Sequence, residues 1–336
     1  MATIDIAIDM GSTNTVIYKR GSGIVLREPS VVCLQTGGKH VKVKEIGLKA
    51  KKMQGRTGEN TTVVYPVCEG VVKNVDLCIA MLKHFISKVI PTGAFRPKIR
   101  AILCVPCGLN SEELNDYEKV MYGAGVGRLQ IIPSILAAGI GEELKTSQAR
   151  GSIVVNIGGG TTEVAVISLN SIVSGCSVAI GGRLMDTTLI EYVQKVFGIK
   201  ISEISAEKIK HEIASLYEND KSNIEFSGAD VSSNRPVSDV IGARDVRRAV
   251  ISFYDDIIKT IQAVINTCKP DIISDITEVG AVVSGGGANI TGLENYFRKV
   301  LNMPVLVSEQ AENSVILGAG KLLSDEYLLN KILEEN

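Results

Sequence analysis

The sequence predicts an α/β protein built from two duplicated lobes around a central cleft, and three observations lead there. A glycine turn between apolar alternating runs occurs twice, as Ile8-Asp9-Met10-Gly11-Ser12-Thr13-Asn14-Thr15-Val16 and as Val155-Asn156-Ile157-Gly158-Gly159-Gly160-Thr161-Thr162-Glu163-Val164. Ile4, Ile6 and Ile8 lead into the first turn and Ile153, Val155 and Ile157 into the second, so each reads as a β-hairpin with a polar tip. The length, 336 residues, exceeds one ordinary core and suits two lobes. Beyond the first hairpin, apolar strands alternate with capped helices, as in a doubly wound domain.

The first lobe is expected over residues 1–145. Strands fit residues 4–9, 15–18, 23–26 and 30–34, an antiparallel meander. Lysine- and glycine-rich residues at about 35–73 read as an inserted small subdomain. Residues 76–89 carry Leu77, Ala80, Met81, His84, Phe85 and Lys88 at helical spacing, and Pro91 stops that helix. Residues 100–105 are a strand, and Asn110 caps a helix with Glu112 and Glu113 in its first turn, ending near Gly123. Residues 129–132 give the next strand, and 135–141 begin another helix. Polar residues 142–150 read as a surface linker.

The second lobe, residues 146–336, repeats the scheme with a meander over 152–180 and a helix after Gly181-Gly182. A small subdomain is inserted at about 183–245, and a long helix over 244–269 closes against Pro270. A strand at 280–284 runs into the turn Gly285-Gly286-Gly287, and Thr291 with Glu294 forms a capping box for a helix through Val300. The C-terminal helices are expected to return to the first lobe.

A tip free of bulky side chains lets backbone N–H groups approach phosphate closely, and Ser12, Thr13 and Thr161 add hydroxyl donors. The carboxylate of Asp9, at a strand end, can hold a hydrated Mg²⁺. Two such tips plus a strand-GGG element suit a nucleotide held between lobes. The charge balance, 36 basic against 37 acidic residues, provides no basic field, so no nucleic-acid partner is expected. No apolar run approaches the ~18 residues of a membrane span and the chain starts directly with a strand, so a cytoplasmic location is expected. Seven cysteines, mostly in apolar runs, read as core residues of a reducing compartment. The Cys104-Val105-Pro106-Cys107 spacing straddles a strand end rather than opening a helix, which argues against a redox pair, and His40, His84 and His211 are too scattered to add metal ligands.

Both tips, together with Val105-Pro106-Cys107-Gly108, Ile180-Gly181-Gly182, Ala206-Glu207-Lys208-Ile209-Lys210-His211-Glu212-Ile213 and Ser284-Gly285-Gly286-Gly287-Ala288, resemble the MreB family of bacterial actin homologues over nearly the whole chain. The phrase Gly23-Ile24-Val25-Leu26-Arg27-Glu28-Pro29-Ser30-Val31-Val32 narrows the resemblance from the wider actin, chaperone and sugar-kinase superfamily. It implies a four-subdomain actin-like fold that binds ATP or ADP with Mg²⁺ and assembles with itself into membrane-associated filaments governing cell shape. By position, Gly11, Ser12, Thr13 and Asn14 would grip one side of the phosphates and Gly158, Gly159, Gly160 and Thr161 the other. Glu207 and Lys210 would face the adenosine, with Gly285, Gly286 and Gly287 beneath it; without the resemblance, Glu207 and Lys210 read as an exposed i,i+3 pair.

Two departures bear on catalysis. Asn156 stands where the family begins the second hairpin with Asp, and Ser134 stands where it has the catalytic Glu of a Glu-Glu-Pro phrase. Neither is a carboxylate base, which leaves Asp9 as the one acidic group at the matching hairpin ends and implies retained ATP binding with slow hydrolysis. A degenerate site also suggests co-assembly with other MreB paralogues. The loop at 91–97, with Ala94 and Phe95 flanked by Lys88, Arg96, Lys98 and Arg100, lies where some relatives insert a short apolar loop into lipid, and repeated weak contacts along a filament would sum by avidity. The alternative is a superfamily ATPase or small-molecule kinase that does not polymerise; a kinase would need a carboxylate poised for its substrate hydroxyl.

Overall fold

A computed structural model describes residues 3–37, 40–91 and 97–335. It contains two five-stranded sheets with one topology. In the first, Thr3–Met10, Asn14–Lys19 and Gly23–Pro29 form an antiparallel run, and Lys98–Val105 then Arg128–Pro133 add in parallel on the other side of Thr3–Met10. In the second, Ser152–Ile157, Thr162–Ser168 and Ser171–Val178 form the same antiparallel run, and Ala281–Ser284 then Val305–Val307 add in parallel. The repeated turn in the sequence is a repeated topology in space.

Strand periodicity explains how three cores arise. Ile6, Ile8 and Met10 face a core shared with Met81, Phe85, Tyr117 and Met121, from the helices Val75–Val89 and Ser111–Gly123. Ile153, Val155 and Ile157 do the same in the second half, against Met185, Leu189 and Val250 of the helices Gly182–Phe197 and Ala243–Asn266. The intervening residues Ala7, Val154 and Ala165 point the other way, into a third core lying between the sheets. Helices Ser134–Gly141 and Ser314–Leu322 fill that middle layer and cross with their backbones almost touching. A Cβ at Gly318 would lie 1.8 Å from the Ala137 carbonyl oxygen, and one at Gly141 2.0 Å from that of Ser314. Two three-stranded sheets sit outside this frame, one of His40–Ile46, Val32–Gly37 and Thr61–Val64 and one of Ile199–Lys200, Asn223–Asp230 and Pro236–Gly242.

Several expected elements form as read: the helix over 76–89 is Val75–Val89, capped by Asn74, and Asn110 makes a full capping box with Glu113. Others differ for identifiable reasons. The strand expected at 30–34 does not extend the meander. Pro29 ends the third strand, the Ser30 hydroxyl bonds that of Thr15 at 2.8 Å, and Val32–Gly37 leaves to build the small sheet, with Val31, Cys33 and Ala50 as its own core. The helix expected to 269 ends at Asn266, because Pro270 opens a separate helix, Pro270–Val279, at a first-turn position that needs no N–H donor. The capping box at Thr291 does not form: Gly292, at φ 83°, caps the helix Leu293–Leu301, and Glu294 pairs with Arg298 instead. The linker at 142–150 is partly packed, since Glu142 accepts from Ser308 and Ser314 and buried Thr146 bonds Asn170. The Ala94 and Phe95 loop lies outside the described residues.

Candidate nucleotide cleft

The two hairpin tips close with the same bond. Gly11 N–H donates to the Asn14 carbonyl at 3.0 Å, and Gly158 N–H to that of Thr161 at 2.8 Å. They then meet tip to tip. A Cβ at Gly159 would lie 1.8 Å from Thr13 Oγ1, and one at Gly160 2.5 Å from Ser12 Oγ, so it is the opposite tip that demands glycine here. Ser12 Oγ accepts from Gly70 N–H at 3.1 Å. Thr13 Oγ1 is buried with no hydrogen-bond partner among the described residues, a deficit of about 1–3 kcal/mol that a bound oxygen anion would relieve. The helix Gly182–Phe197 starts against the second tip, with Gly182 N–H donating to Gly158 O at 3.0 Å and Arg183 N–H to Gly159 O at 2.8 Å. Its positive end therefore lies beside the tips, as anion binding favours.

Every residue expected from the sequence to hold nucleotide or cation or to stand at a catalytic position lines one cavity of about 530 Å³, within the range of small-molecule sites. Asp9, Gly11, Ser12, Thr13 and Asn14 come from the first hairpin, and Asn156, Gly158, Gly159, Gly160 and Thr161 from the second. Ser134 opens the helix beneath them; Glu207, Lys210, Gly285, Gly286 and Gly287 line the remaining wall.

The carboxylate inventory at the tips corrects the sequence reading. Asp9 is not the only acidic group: Glu163 faces Asn156 across the second hairpin, is buried at 2 % exposure, and lines the same cavity. Its Oε1 accepts from Cys107 N–H at 2.9 Å, and its Oε2 accepts from Ser134 Oγ at 2.5 Å and Asn156 Nδ2 at 3.5 Å. The two positions that lack carboxylates thus both donate to a third. Burial, reinforced by the Glu163 charge and opposed by Arg27, raises the Asp9 carboxyl to about 7. Burial also raises Glu163, against the hydrogen bonds it accepts. A buried Asp9 carboxylate near the charge of Glu163 fits a divalent cation, which would offset the penalty for ionising it. No three His, Cys, Asp or Glu side chains converge as a metal cluster among the described residues. A cation there would draw its other ligands from phosphate oxygens and water, as Mg²⁺ commonly does.

On the other wall, Glu207 and Lys210 do not pair with each other. Lys210 Nζ reaches Asp186 at 2.7 Å and the Gly182 carbonyl at 2.9 Å, while Glu207 meets Lys51 at 2.9 Å across the cleft mouth. Gln54 also reaches Glu203, and Arg183 stacks 3.8 Å over the Tyr65 ring, so the two small subdomains touch above the cavity. The triple glycine forms the 3₁₀ turn Gly286–Asn289, held from below by Tyr254 Oη donating to the Gly287 carbonyl at 3.0 Å. Gly285 has φ 84°, and a Cβ there would lie 2.3 Å from Ile157 O, so only glycine brings this turn against the second hairpin. Cys104 is buried, and burial pushes its thiol well up and that of Cys107 up to about 12, leaving neither as a ready thiolate.

Sequence reasoning missed Glu163, Asp186, Lys51 and Arg183. Glu163 carried a signal: it is the one acidic residue in the wholly buried strand Thr162–Ser168 and lies opposite Asn156 in hairpin register. The others depend on which segments meet across the cleft, which local pattern does not encode.

Duplicated five-stranded sheets with paired glycine tips at a shared cleft define the actin-like class of fold. The MreB/Mbl protein family model matches residues 3–331, and the chain belongs to that family. It is 39% identical over 326 residues to the cell shape-determining protein MreB of Escherichia coli K12, covering 96% of this chain and 94% of that one. It is 33% identical over 328 residues to the cell shape-determining protein Mbl of Bacillus subtilis 168, covering 97% and 98%. Among solved structures, MreB5 of Spiroplasma citri bound to AMPPNP superposes with a TM-score of 0.91 at 25% identity, covering 99% of both chains. The MamK double helical filament superposes at 0.80 and 18% identity, covering 96% of this chain and 99% of that one, a likeness of fold alone.

Proposed function

We propose that this chain binds ATP and ADP with Mg²⁺ in the cleft, polymerises into cytoskeletal filaments at the inner face of the cell membrane, and hydrolyses ATP slowly. The observation that carries the reading is the pair of glycine tips in contact, with a Thr13 hydroxyl between them that has no hydrogen-bond partner among the described residues. Nucleotide-bound MreB5 and filamentous MamK share the fold, which supports nucleotide binding and self-association. The two sheets support dividing the chain into lobes of residues 1–145 and 146–336.

In this reading Gly11, Ser12, Thr13 and Asn14 hold the phosphates from one side, and Gly158, Gly159, Gly160 and Thr161 from the other. Asp9 holds water on the cation, which when bound neutralises charge developing on the phosphates. Glu207 and Lys210 orient the nucleoside end above the Gly285–Gly287 turn. Ser134 and Asn156 place hydrogen-bonding groups where the family has carboxylates, so attacking water lacks a directly positioned base, a loss of about 10² to 10⁴ in rate. Subunits joined head to tail do not close, so they extend as filaments, and other MreB paralogues with the same interfaces could join them. Membrane contact is assigned to Ala94 and Phe95. Among the described residues no helix is long and apolar enough to cross a membrane.

Phosphate release from purified protein with Mg-ATP, run beside sedimentation, tests this reading. Wild type is expected to pellet with ATP and to release phosphate at least about tenfold more slowly than a Ser134→Glu, Asn156→Asp double variant. Equal turnover would remove the claim of weakened chemistry, and absence of pellet under all nucleotide conditions would favour the non-polymerising ATPase.

A further inference from the structure

Glu163 is a buried carboxylate with defined partners on both oxygens and no role in the reading so far. Its Oε1 is pinned by the Cys107 backbone N–H, and its Oε2 accepts a hydrogen bond from Ser134 Oγ at 2.5 Å. Ser134 therefore spends its single O–H on Glu163, and its remaining lone pairs are available to accept. Both residues line the cavity, and Ser134 is the first residue of the helix Ser134–Gly141. Asn156 also suits this arrangement. Its Nδ2 points to Glu163 Oε2 at 3.5 Å while its Oδ1 accepts from Ser284 at 3.4 Å, so the amide presents a donor to Glu163 where Asp would present a second negative charge.

We propose that Glu163 replaces the missing carboxylates by acting through the Ser134 hydroxyl, as a positioning residue and proton acceptor for the water that attacks ATP. The inference rests on the cleft being an ATP site. In the step, the water oxygen bonds the γ-phosphorus and the bond from that phosphorus to the β,γ-bridging oxygen breaks, with its electron pair passing to ADP. The water proton moves to Ser134 Oγ as the Ser134 proton moves to Glu163 Oε2, and Glu163 returns it to solvent when phosphate leaves. A relay through a hydroxyl is less direct than a carboxylate facing the water, consistent with slow turnover.

The test is single-turnover phosphate release with Mg-ATP for wild type, Glu163→Gln, Ser134→Ala, their double variant, Ser134→Thr and Glu163→Asp, beside binding of a fluorescent ATP analogue and thermal melts. Glu163→Gln and Ser134→Ala are each expected to lower the rate about tenfold or more. The double variant should be no slower than either within about twofold, as two links of one relay require. Ser134→Thr should keep most of the rate, Glu163→Asp should recover part of the Glu163→Gln loss, and analogue affinity should stay within about threefold of wild type. A structural role for Glu163 would instead lower affinity and melting temperature together, with no rescue by Glu163→Asp. Losses that multiply in the double variant, or a Glu163→Gln protein at wild-type rate, overturn the relay. A wild type that binds nucleotide and releases no phosphate also overturns it, whereas one that binds no nucleotide overturns the cleft reading itself.

Discussion

Asp9 shows how one residue at a strand end couples stability to ligand. Its folded carboxyl titrates at about 7, against an ordinary value of 3.8, because it is buried beside Glu163. Across that interval the folded chain keeps a proton that the unfolded chain has lost. Stability is therefore fullest below about pH 3.8 as far as this group is concerned and falls as pH rises through 7, by about 1.4 kcal/mol per pH unit where the two states differ by a whole proton. Glu163, also raised, adds to the same trend. The melting temperature of the nucleotide-free protein should thus fall between pH 5.5 and 7.5 relative to an Asp9→Asn variant, and saturating Mg-ADP should flatten the difference. A wild-type slope no steeper than that of Asp9→Asn would show that Asp9 is not held protonated.

At the scale of elements, two contacts are expected to separate stability from ligand exchange. The helices Ser134–Gly141 and Ser314–Leu322 cross at glycines with no room for a methyl group, so Gly318→Ala must push the middle layer apart. Overpacking of this kind costs about 1–3 kcal/mol, and calorimetry should show a melting temperature lower by several degrees. An unchanged melting temperature would mean that the helices slide freely past one another. The bridge from Lys51, on the short helix Leu48–Met53, to Glu207 is partly exposed and contributes at most about 1 kcal/mol. Lys51→Ala should leave the melting temperature nearly unchanged while speeding dissociation of a fluorescent nucleotide, because the cleft mouth loses its cross-subdomain tie. Stopped-flow release indistinguishable from wild type would assign that tie no role in retention.

Over the whole molecule, two outer cores are joined through one middle layer and through the cleft. A nucleotide held by both tips links the lobes a second time. Mg-ATP should therefore raise the melting temperature in a concentration-dependent way, by about 2.7 kcal/mol of added stability at one hundred times its dissociation constant, and chelation of the cation should remove much of that gain. No shift at millimolar Mg-ATP would argue against a nucleotide bridging the lobes.

The sequence by itself determined the duplicated lobes, both hairpin tips, the long helices and the third glycine turn. These are local: alternation, caps and glycine runs each act over a few residues and need no distant partner. Only the tertiary structure decided that Val32–Gly37 leaves the meander, that Pro270 starts a helix, that Lys51 reaches Glu207, and that Glu163 receives both Ser134 and Asn156. Ser134 and Glu163 are 29 residues apart and meet because the helix opened by Ser134 packs against the strand that carries Glu163. Such a contact is set by how packed layers bring separate segments together, and no local periodicity specifies it.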